Sequence, residues 1–136
     1  MRIGKVSTPI IALLLALMAV TGCNKSGGSS PTATAKAFYD AAKAKDVQGI
    51  KNTMSKGSLD MMEKFAKMQN KSLDEALKEP DKSNPPTTFE SQNEKINGDT
   101  ATLEVKDEKG NWETIPFVKE DGQWKIALDK AMGGPK

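Results

Sequence analysis

Hydrophobic residues recur at two different spacings along the chain, and the change falls at the proline pair of positions 85 and 86. Before that pair, apolar residues repeat every three or four positions, which is the spacing of one face of an α-helix. Pro31 suits a first helical turn, and Ala35, Phe38, Tyr39 and Ala42 then follow with the spacing of one face. This pattern predicts a first helix that starts at Pro31.

Three shorter helices are predicted between this first helix and the proline pair. Asp46 can cap a second helix, which Gly57 would end, and Ser58 can cap a third helix. Residues 72–75 have the Ser-x-x-Glu spacing of a capping box. A fourth helix should therefore start there and stop before Pro80, whose ring cannot continue a helix.

After the proline pair, the hydrophobic spacing becomes two residues, which is typical of strands. Ala101, Leu103 and Val105 alternate with polar neighbours and indicate a half-buried strand. The Asn97-Gly98 pair in front of it is a strong signal for a two-residue hairpin turn. The other three strands of an antiparallel meander are predicted at about 87–96, 111–118 and 123–129.

Pro116 conflicts with a regular third strand, because a proline in a central strand lacks the N–H of a ladder hydrogen bond. A β-bulge near Pro116 would resolve the conflict. It would also let Trp112 and Phe117, which are out of phase by one residue, face the same side of the sheet.

The last strand should face the helices with its apolar residues. Trp124, Ile126 and Leu128 are predicted to line its inner face against the helix that carries Phe38, whereas Lys125 faces outward. The whole pattern predicts an α+β domain in which N-terminal helices pack on a curved four-stranded antiparallel sheet.

The first 22 residues have the plan of an export signal rather than of the domain. Arg2 and Lys5 form a positive region, and residues 10–20 form an apolar run that is too short to span a bilayer. Residues 20–23, Val-Thr-Gly-Cys, resemble the bacterial lipobox, and that resemblance implies cleavage before Cys23 and diacylation of its thiol. An ordinary secretory signal with a chance cysteine is the alternative interpretation.

The lipobox resemblance also implies a domain organisation and a location. Residues 1–22 are the signal peptide, 23–30 the acylated cysteine and a flexible tether, 31–130 the domain and 131–136 a tail. Membrane lipid is then the first partner, through the acyl chains of Cys23. The protein should lie in the cell envelope, and Asn24 after the cysteine favours the outer membrane if the host is Gram-negative.

Composition argues against several classes of function. Of 20 basic residues, Arg2 and Lys5 lie in the export signal, so the mature part balances 18 lysines against 18 acidic residues. Without excess positive charge or arginine, nucleic-acid binding is not expected. The chain has no histidine and one cysteine, so we expect no disulfide, no transition-metal site and no cofactor.

Two stretches carry a family resemblance. The first helix through Ile50, together with residues 118–126, resembles small bacterial lipoproteins of unknown function in the nuclear-transport-factor-2-like superfamily. That superfamily has a cystatin-like cone and includes ketosteroid isomerase and polyketide cyclases. The resemblance implies a cavity between the sheet and the first helices. Its candidate lining residues are Tyr39, Met62, Phe65, Trp112, Phe117 and Trp124, although side chains of these types more often belong to an ordinary core.

Three functions fit these observations. The first is a non-catalytic, membrane-anchored module that binds a small apolar ligand in the cone or a protein partner on the exposed sheet face. The second is an envelope interaction protein or inhibitor with a sealed core. The third, an isomerase-like enzyme, is disfavoured because Tyr39 is the only tyrosine and Asp40 points about 100° away from it on the same helix. We therefore expect no catalytic residue and no enzyme activity.

Overall fold

The computed structural model describes residues 28–79 and 87–133. The export signal, Cys23, residues 24–27, the prolines at 80, 85 and 86, and the last three residues lie outside the described residues. Within the described ranges the helices are α1 (Pro31–Ala44), α2 (Val47–Thr53), α3 (Lys56–Met68), α4 (Leu73–Lys78) and α5 (Leu128–Ala131). The strands are β1 (Ser91–Asn97), β2 (Thr100–Lys106), β3 (Trp112–Glu120) and β4 (Gln123–Ile126).

The predicted α+β class is confirmed, with the helices mainly in the N-terminal half and the sheet in the C-terminal half. The four antiparallel strands lie in the order β1-β2-β3-β4, as the meander predicted. No helix among residues 28–79 and 87–133 combines the length and the apolar character needed to cross a bilayer.

Helices α1 to α4 each start at a capping side chain, but one predicted cap is wrong. Ser30, Asp46 and Ser72 cap α1, α2 and α4, and α4 has the complete capping box. Helix α3 is capped by Ser55 rather than by Ser58, so Gly57 lies inside α3 instead of ending α2. A tertiary contact explains the difference. The chain is extended at Met54, directly after α2, and Met54 forms a β-bridge with β4.

The predicted bulge at Pro116 is also wrong, because β2 and β3 pair without interruption from Thr100 to Lys106. The Pro116 carbonyl accepts from the N–H of Ala127, the first residue after β4. The N and C=O of one strand residue point to the same side. The nitrogen of Pro116 therefore points away from β2, towards the place where β4 ends. Its lack of an N–H removes no hydrogen bond between β2 and β3. The sheet's register irregularity lies in β1 instead, between Gln92 and Lys95.

The last strand is shorter than predicted. β4 ends at Ile126, and Leu128 begins the short helix α5 rather than continuing the strand. Trp124 and Ile126 are buried, as the alternation predicted. Lys125 lies on the opposite face from them, but its ammonium donates to the backbone carbonyl of Asn52 at the end of α2.

Two clusters form the core of the described residues. The sheet-side cluster contains six buried residues: Ala35, Ala101, Leu103, Phe117, Trp124 and Ile126. The helix-side cluster contains Ala41, Ile50 and Met54. Phe38 and Leu128 pack against both clusters, so α1 and α5 join the helical layer to the sheet.

Candidate functional site

The six residues nominated to line a cavity lie in three different environments. Phe117 and Trp124 are buried in the sheet-side cluster, with exposed fractions of 1% and 4%. Tyr39 and Met62 are half-buried, and Met62 packs against the helix-side cluster. Phe65 on α3 and Trp112 at the start of β3 are exposed, at 62% and 40%. The two core clusters include Phe117, Trp124 and Met62, and they do not include Tyr39, Phe65 or Trp112.

Tyr39 and Asp40, the pair considered for acid–base chemistry, interact with different neighbours. The Tyr39 ring lies 5.8 Å from the Phe89 ring, and the Lys43 ammonium lies 5.3 Å from its centroid. The Asp40 carboxylate forms an ion pair with Lys36 one turn earlier, at 2.6 Å. The two side chains therefore do not converge on a common point.

A buried cluster of hydroxyl groups joins α3 to the connection between β4 and α5. The Ser55 and Ser58 oxygens are 2.8 Å apart, and Asp129 Oδ1 lies 3.2 and 3.1 Å from them. The Ser58 hydroxyl also accepts from the N–H of Leu128 at 2.8 Å and lies 3.0 Å from the Ile126 carbonyl. A hydroxyl has one proton to donate and two lone pairs that accept, so these structural contacts occupy the hydrogen-bonding capacity of Ser58.

No local pattern in the sequence indicates this cluster. Asp129 is 71 positions from Ser58, and the alternation predicts it as the end of the fourth strand, whereas it lies in α5. The serine pair at 55 and 58 has the spacing of a cap, but only the packing shows that both hydroxyls are fully buried. We assign the cluster a role in fastening α3 to the sheet.

An open groove of about 320 Å³ lies between the ends of α2, α3 and α4. It is lined by Lys51, Glu63, Lys67, Lys71, Ser72 and Leu73. Each of its three lysines forms an ion pair with a carboxylate: Lys51 with Asp74, Lys67 with Glu63, and Lys71 with Glu79. The hydrogen bond and charge of Lys67 lower the pKa of Glu63, which keeps the pair ionised. Such a groove offers little excess positive charge to an anion.

The outer face of the sheet, which points away from the core clusters, is a more continuous surface. Its β3 row consists of Trp112, Thr114, Pro116 and Val118, by the alternation that turns Phe117 inward. Its β2 row, directly opposite, consists of Thr100, Thr102, Glu104 and Lys106. None of these eight side chains is buried. We call these two rows the outer sheet face.

Charged groups lie at both ends of the outer sheet face. The Lys106 ammonium lies 5.5 Å from the Trp112 ring centroid and 3.0 Å from a Glu90 oxygen. Hydrogen bonds from the amides of Asn93 and then Gln92 lower the pKa of Glu104, so this carboxylate stays ionised. Burial lowers the pKa of Lys125, which lies beside Val118 at the other edge of this face.

The end of the predicted tether is bound to the domain. The Gly28 N–H donates to the Thr34 hydroxyl at 3.0 Å, and the Gly28 carbonyl accepts from the N–H of Trp124 at 3.3 Å. A Cβ at position 28 would lie 2.4 Å from the backbone nitrogen of Thr34, so only glycine fits this approach. The Thr34 hydroxyl is buried and also lies 3.0 Å from the Trp124 carbonyl.

No group of three or more His, Cys, Asp or Glu side chains within residues 28–79 and 87–133 is placed to hold a metal ion.

A family model described as "Domain of unknown function (DUF4878)" matches residues 24–127, which contain α1 to α4 and all four strands. Searches of curated proteins and of solved structures gave no significant match.

Proposed function

The chain belongs to the DUF4878 family of domains of unknown function, and we propose that it is a lipid-anchored protein of the bacterial cell envelope. Its domain binds a protein partner through the outer sheet face and performs no catalysis. The observation that carries this proposal is the contrast between two tryptophans of one sheet: Trp124 is 4% exposed in the core, and Trp112 is 40% exposed on the outer sheet face.

The lipid anchor is supported by the sequence around Cys23. The lipobox-like residues 20–23 follow a short apolar run, and the thiol is the only one in the chain. The family model matches from residue 24 onward, so the segment before the cysteine is not part of the shared domain. Two acyl chains on Cys23 give stable membrane attachment, since each buried methylene contributes about 0.8 kcal/mol.

The composition of the outer sheet face supports a protein partner. Tryptophan is enriched among the residues that dominate binding energy at protein interfaces. Trp112 is at one end of a β3 row that continues with Thr114, Pro116 and Val118, and it lies opposite Lys106. Charged residues lie next to Trp112 and at the opposite end of the face, and they can form the polar rim that commonly accompanies an aromatic anchor at an interface. A small apolar ligand is less favoured, because the nominated lining residues lie partly in the packed core and partly at the surface.

The absence of catalysis is proposed from the chemistry of the polar clusters. Tyr39 and Asp40 have separate neighbours, and the Ser55, Ser58 and Asp129 cluster is engaged in structural hydrogen bonds. With no histidine in the sequence, a general base would have to come from a carboxylate or a lysine.

The order of helices before a four-stranded antiparallel meander supports the wider affiliation with the nuclear-transport-factor-2-like superfamily, which we also propose.

Site-specific photo-cross-linking in the native envelope tests the partner surface. A photoreactive amino acid is placed at Thr114, which is exposed on the outer sheet face, or at Gln48, which is exposed on α2. We expect a discrete cross-linked product from position 114 and none from position 48. Trp112→Ala in the same chain should remove the product while the domain stays folded.

The opposite pattern would contradict the proposal. A product from position 48 that is insensitive to Trp112→Ala, with none from position 114, would place the partner on the helical layer.

Cys23→Ser should move the protein from the membrane fraction to the soluble fraction. Retention of that variant in the membrane after carbonate extraction would refute the anchor independently of the partner surface.

A further inference from the structure

The attachment point of the tether fixes which part of the domain lies closest to the membrane. Gly28 pairs with Trp124, the second residue of β4 and the third residue after the β3–β4 turn at Asp121. The helix that follows starts near the same end of the sheet, because α1 begins three residues after Gly28 and its Thr34 hydroxyl donates to the Trp124 carbonyl at 3.0 Å. We call this end, with the β1–β2 and β3–β4 turns and the start of α1, the Gly28 end.

Covalent geometry limits how far the Gly28 end can move from the acylated cysteine. Five residue steps separate Cys23 from Gly28, and an extended chain covers at most about 3.3–3.6 Å per residue. The Gly28 backbone therefore stays within roughly 18 Å of Cys23. The two hydrogen bonds of Gly28 prevent residues 28–30 from lengthening the tether.

The opposite end of the sheet lies farther away than this reach. β3 runs from Trp112 to Glu120, eight residue steps, which at about 3.3 Å each is roughly 26 Å. The β2–β3 turn and Trp112 are therefore at the far end of the strands from the Gly28 end. We propose that the domain stands on the bilayer surface with the Gly28 end against the lipid headgroups and the β2–β3 turn directed away from them.

The Gly28 end therefore contacts the headgroup surface of the membrane that holds the acyl chains. Charges of both signs are interspersed here, with Asp99, Glu120 and Asp121 close to Lys56 and Lys119. Because this mixture gives no strong preference for anionic lipid, the orientation comes from the short tether. It should be the same on neutral and on anionic bilayers. This inference rests on the proposed lipid anchor. In this orientation Trp112 is accessible to a partner in the space beyond the membrane.

Energy transfer to the membrane surface tests the orientation. Asp99→Cys in the β1–β2 turn and Glu108→Cys in the β2–β3 turn each replace one exposed carboxylate, so the two variants are matched in charge. The acylated, full-length protein is labelled at the new thiol with a donor dye. It is then inserted into phosphatidylcholine vesicles that carry an acceptor on the headgroups, with or without phosphatidylglycerol. We expect higher transfer efficiency from position 99 than from position 108 in both vesicles.

A longer tether provides the control for this experiment. Insertion of about 20 Gly and Ser residues after Ser26 adds a coil with an average span of roughly 25 Å. It should reduce the difference between the two positions towards zero. Equal transfer from both positions with the natural tether, or higher transfer from position 108, would overturn the orientation. Failure of Cys23 to incorporate a fatty-acid analogue would instead overturn the proposed anchor, and with it this inference.

Discussion

Replacing Trp124 with alanine tests the packing of the sheet against α1. Trp124 is 4% exposed and packs with Phe117, Ile126 and Phe38. An aromatic side chain buries about 150–250 Å², which at about 25 cal/mol per Å² corresponds to roughly 4–6 kcal/mol. Alanine retains the Cβ, so we expect Trp124→Ala to lower the free energy of unfolding by about 3–5 kcal/mol. That is a large part of the roughly 5–15 kcal/mol of a typical domain.

Trp112→Ala is the matched control, because it removes the same side chain from the other face of the same sheet. Trp112 is 40% exposed, and its described partner is the ammonium of Lys106. We expect a loss of about 1 kcal/mol from this contact and from partial burial. Lys125→Ala, one residue from Trp124, is a poorer control because the Lys125 ammonium donates to the Asn52 carbonyl.

Urea denaturation followed by far-ultraviolet circular dichroism measures both free energies. In thermal melts, each kcal/mol shifts the midpoint by about 4–8 °C for a domain of 60–100 residues, so the expected difference of about 2–4 kcal/mol should separate the two variants by about 8 °C or more. The chain has two tryptophans, so each variant keeps one as a fluorescence reporter. Equal midpoints, or a lower midpoint for Trp112→Ala, would refute the assignment of inner and outer faces.

Three further measurements test other parts of the structure. Ser58→Ala should cost about 1–3 kcal/mol in urea denaturation, because it leaves the partly buried N–H of Leu128 without its acceptor; a neutral effect would contradict the role of the cluster in holding α3 to the sheet. The backbone N–H of Ser72 and then its hydroxyl lower the pKa of Glu75, so the capping box stabilises α4 at neutral pH and loses this contribution as the pH falls through that lowered pKa. An NMR titration should show the Glu75 pKa rising part of the way towards its ordinary value in Ser72→Ala, which removes the hydroxyl but keeps the backbone N–H; an unchanged pKa would disprove the hydroxyl contact. EDTA should leave the thermal midpoint unchanged, since the chain has no histidine and one cysteine; a drop of several degrees would reveal a metal site made of carboxylates.

Local signals in the sequence were sufficient for much of the fold. The capping residues Asp46 and Ser72 marked two helix starts, and the alternation at Ala101 and Leu103 identified the inner face of β2. These signals depend on neighbours within four residues, so they do not require knowledge of the tertiary structure.

Features that depend on distant contacts could not be predicted. Ser55 rather than Ser58 caps α3 because Met54 is held in a bridge to Ile126, which lies 72 positions later. Pro116 needs no bulge because β4 ends beside it, and the sequence does not mark that end: Leu128 fits the strand alternation but begins α5.

The candidate sites were predicted less well than the fold, for the same reason. A family resemblance suggested six aromatic and methionine residues, but residue type alone does not distinguish the core position of Trp124 from the surface position of Trp112. The bulge predicted at Pro116 would have brought Trp112 to the side of Phe117. With regular pairing, Trp112 lies on the outer sheet face, and this position is the basis of the proposed partner surface.

The mass of the mature N-terminus tests the lipid anchor, on which both the location and the orientation of the domain depend. The protein is purified from the membrane fraction in detergent and digested with trypsin, which cleaves after Lys25, and the N-terminal peptide is analysed by mass spectrometry. We predict a peptide that begins at Cys23 and carries a diacylglyceryl group on its sulfur, with no peptide from residues 1–22. A peptide with an unmodified Cys23, or one that continues from the preceding segment, would contradict the proposed anchor.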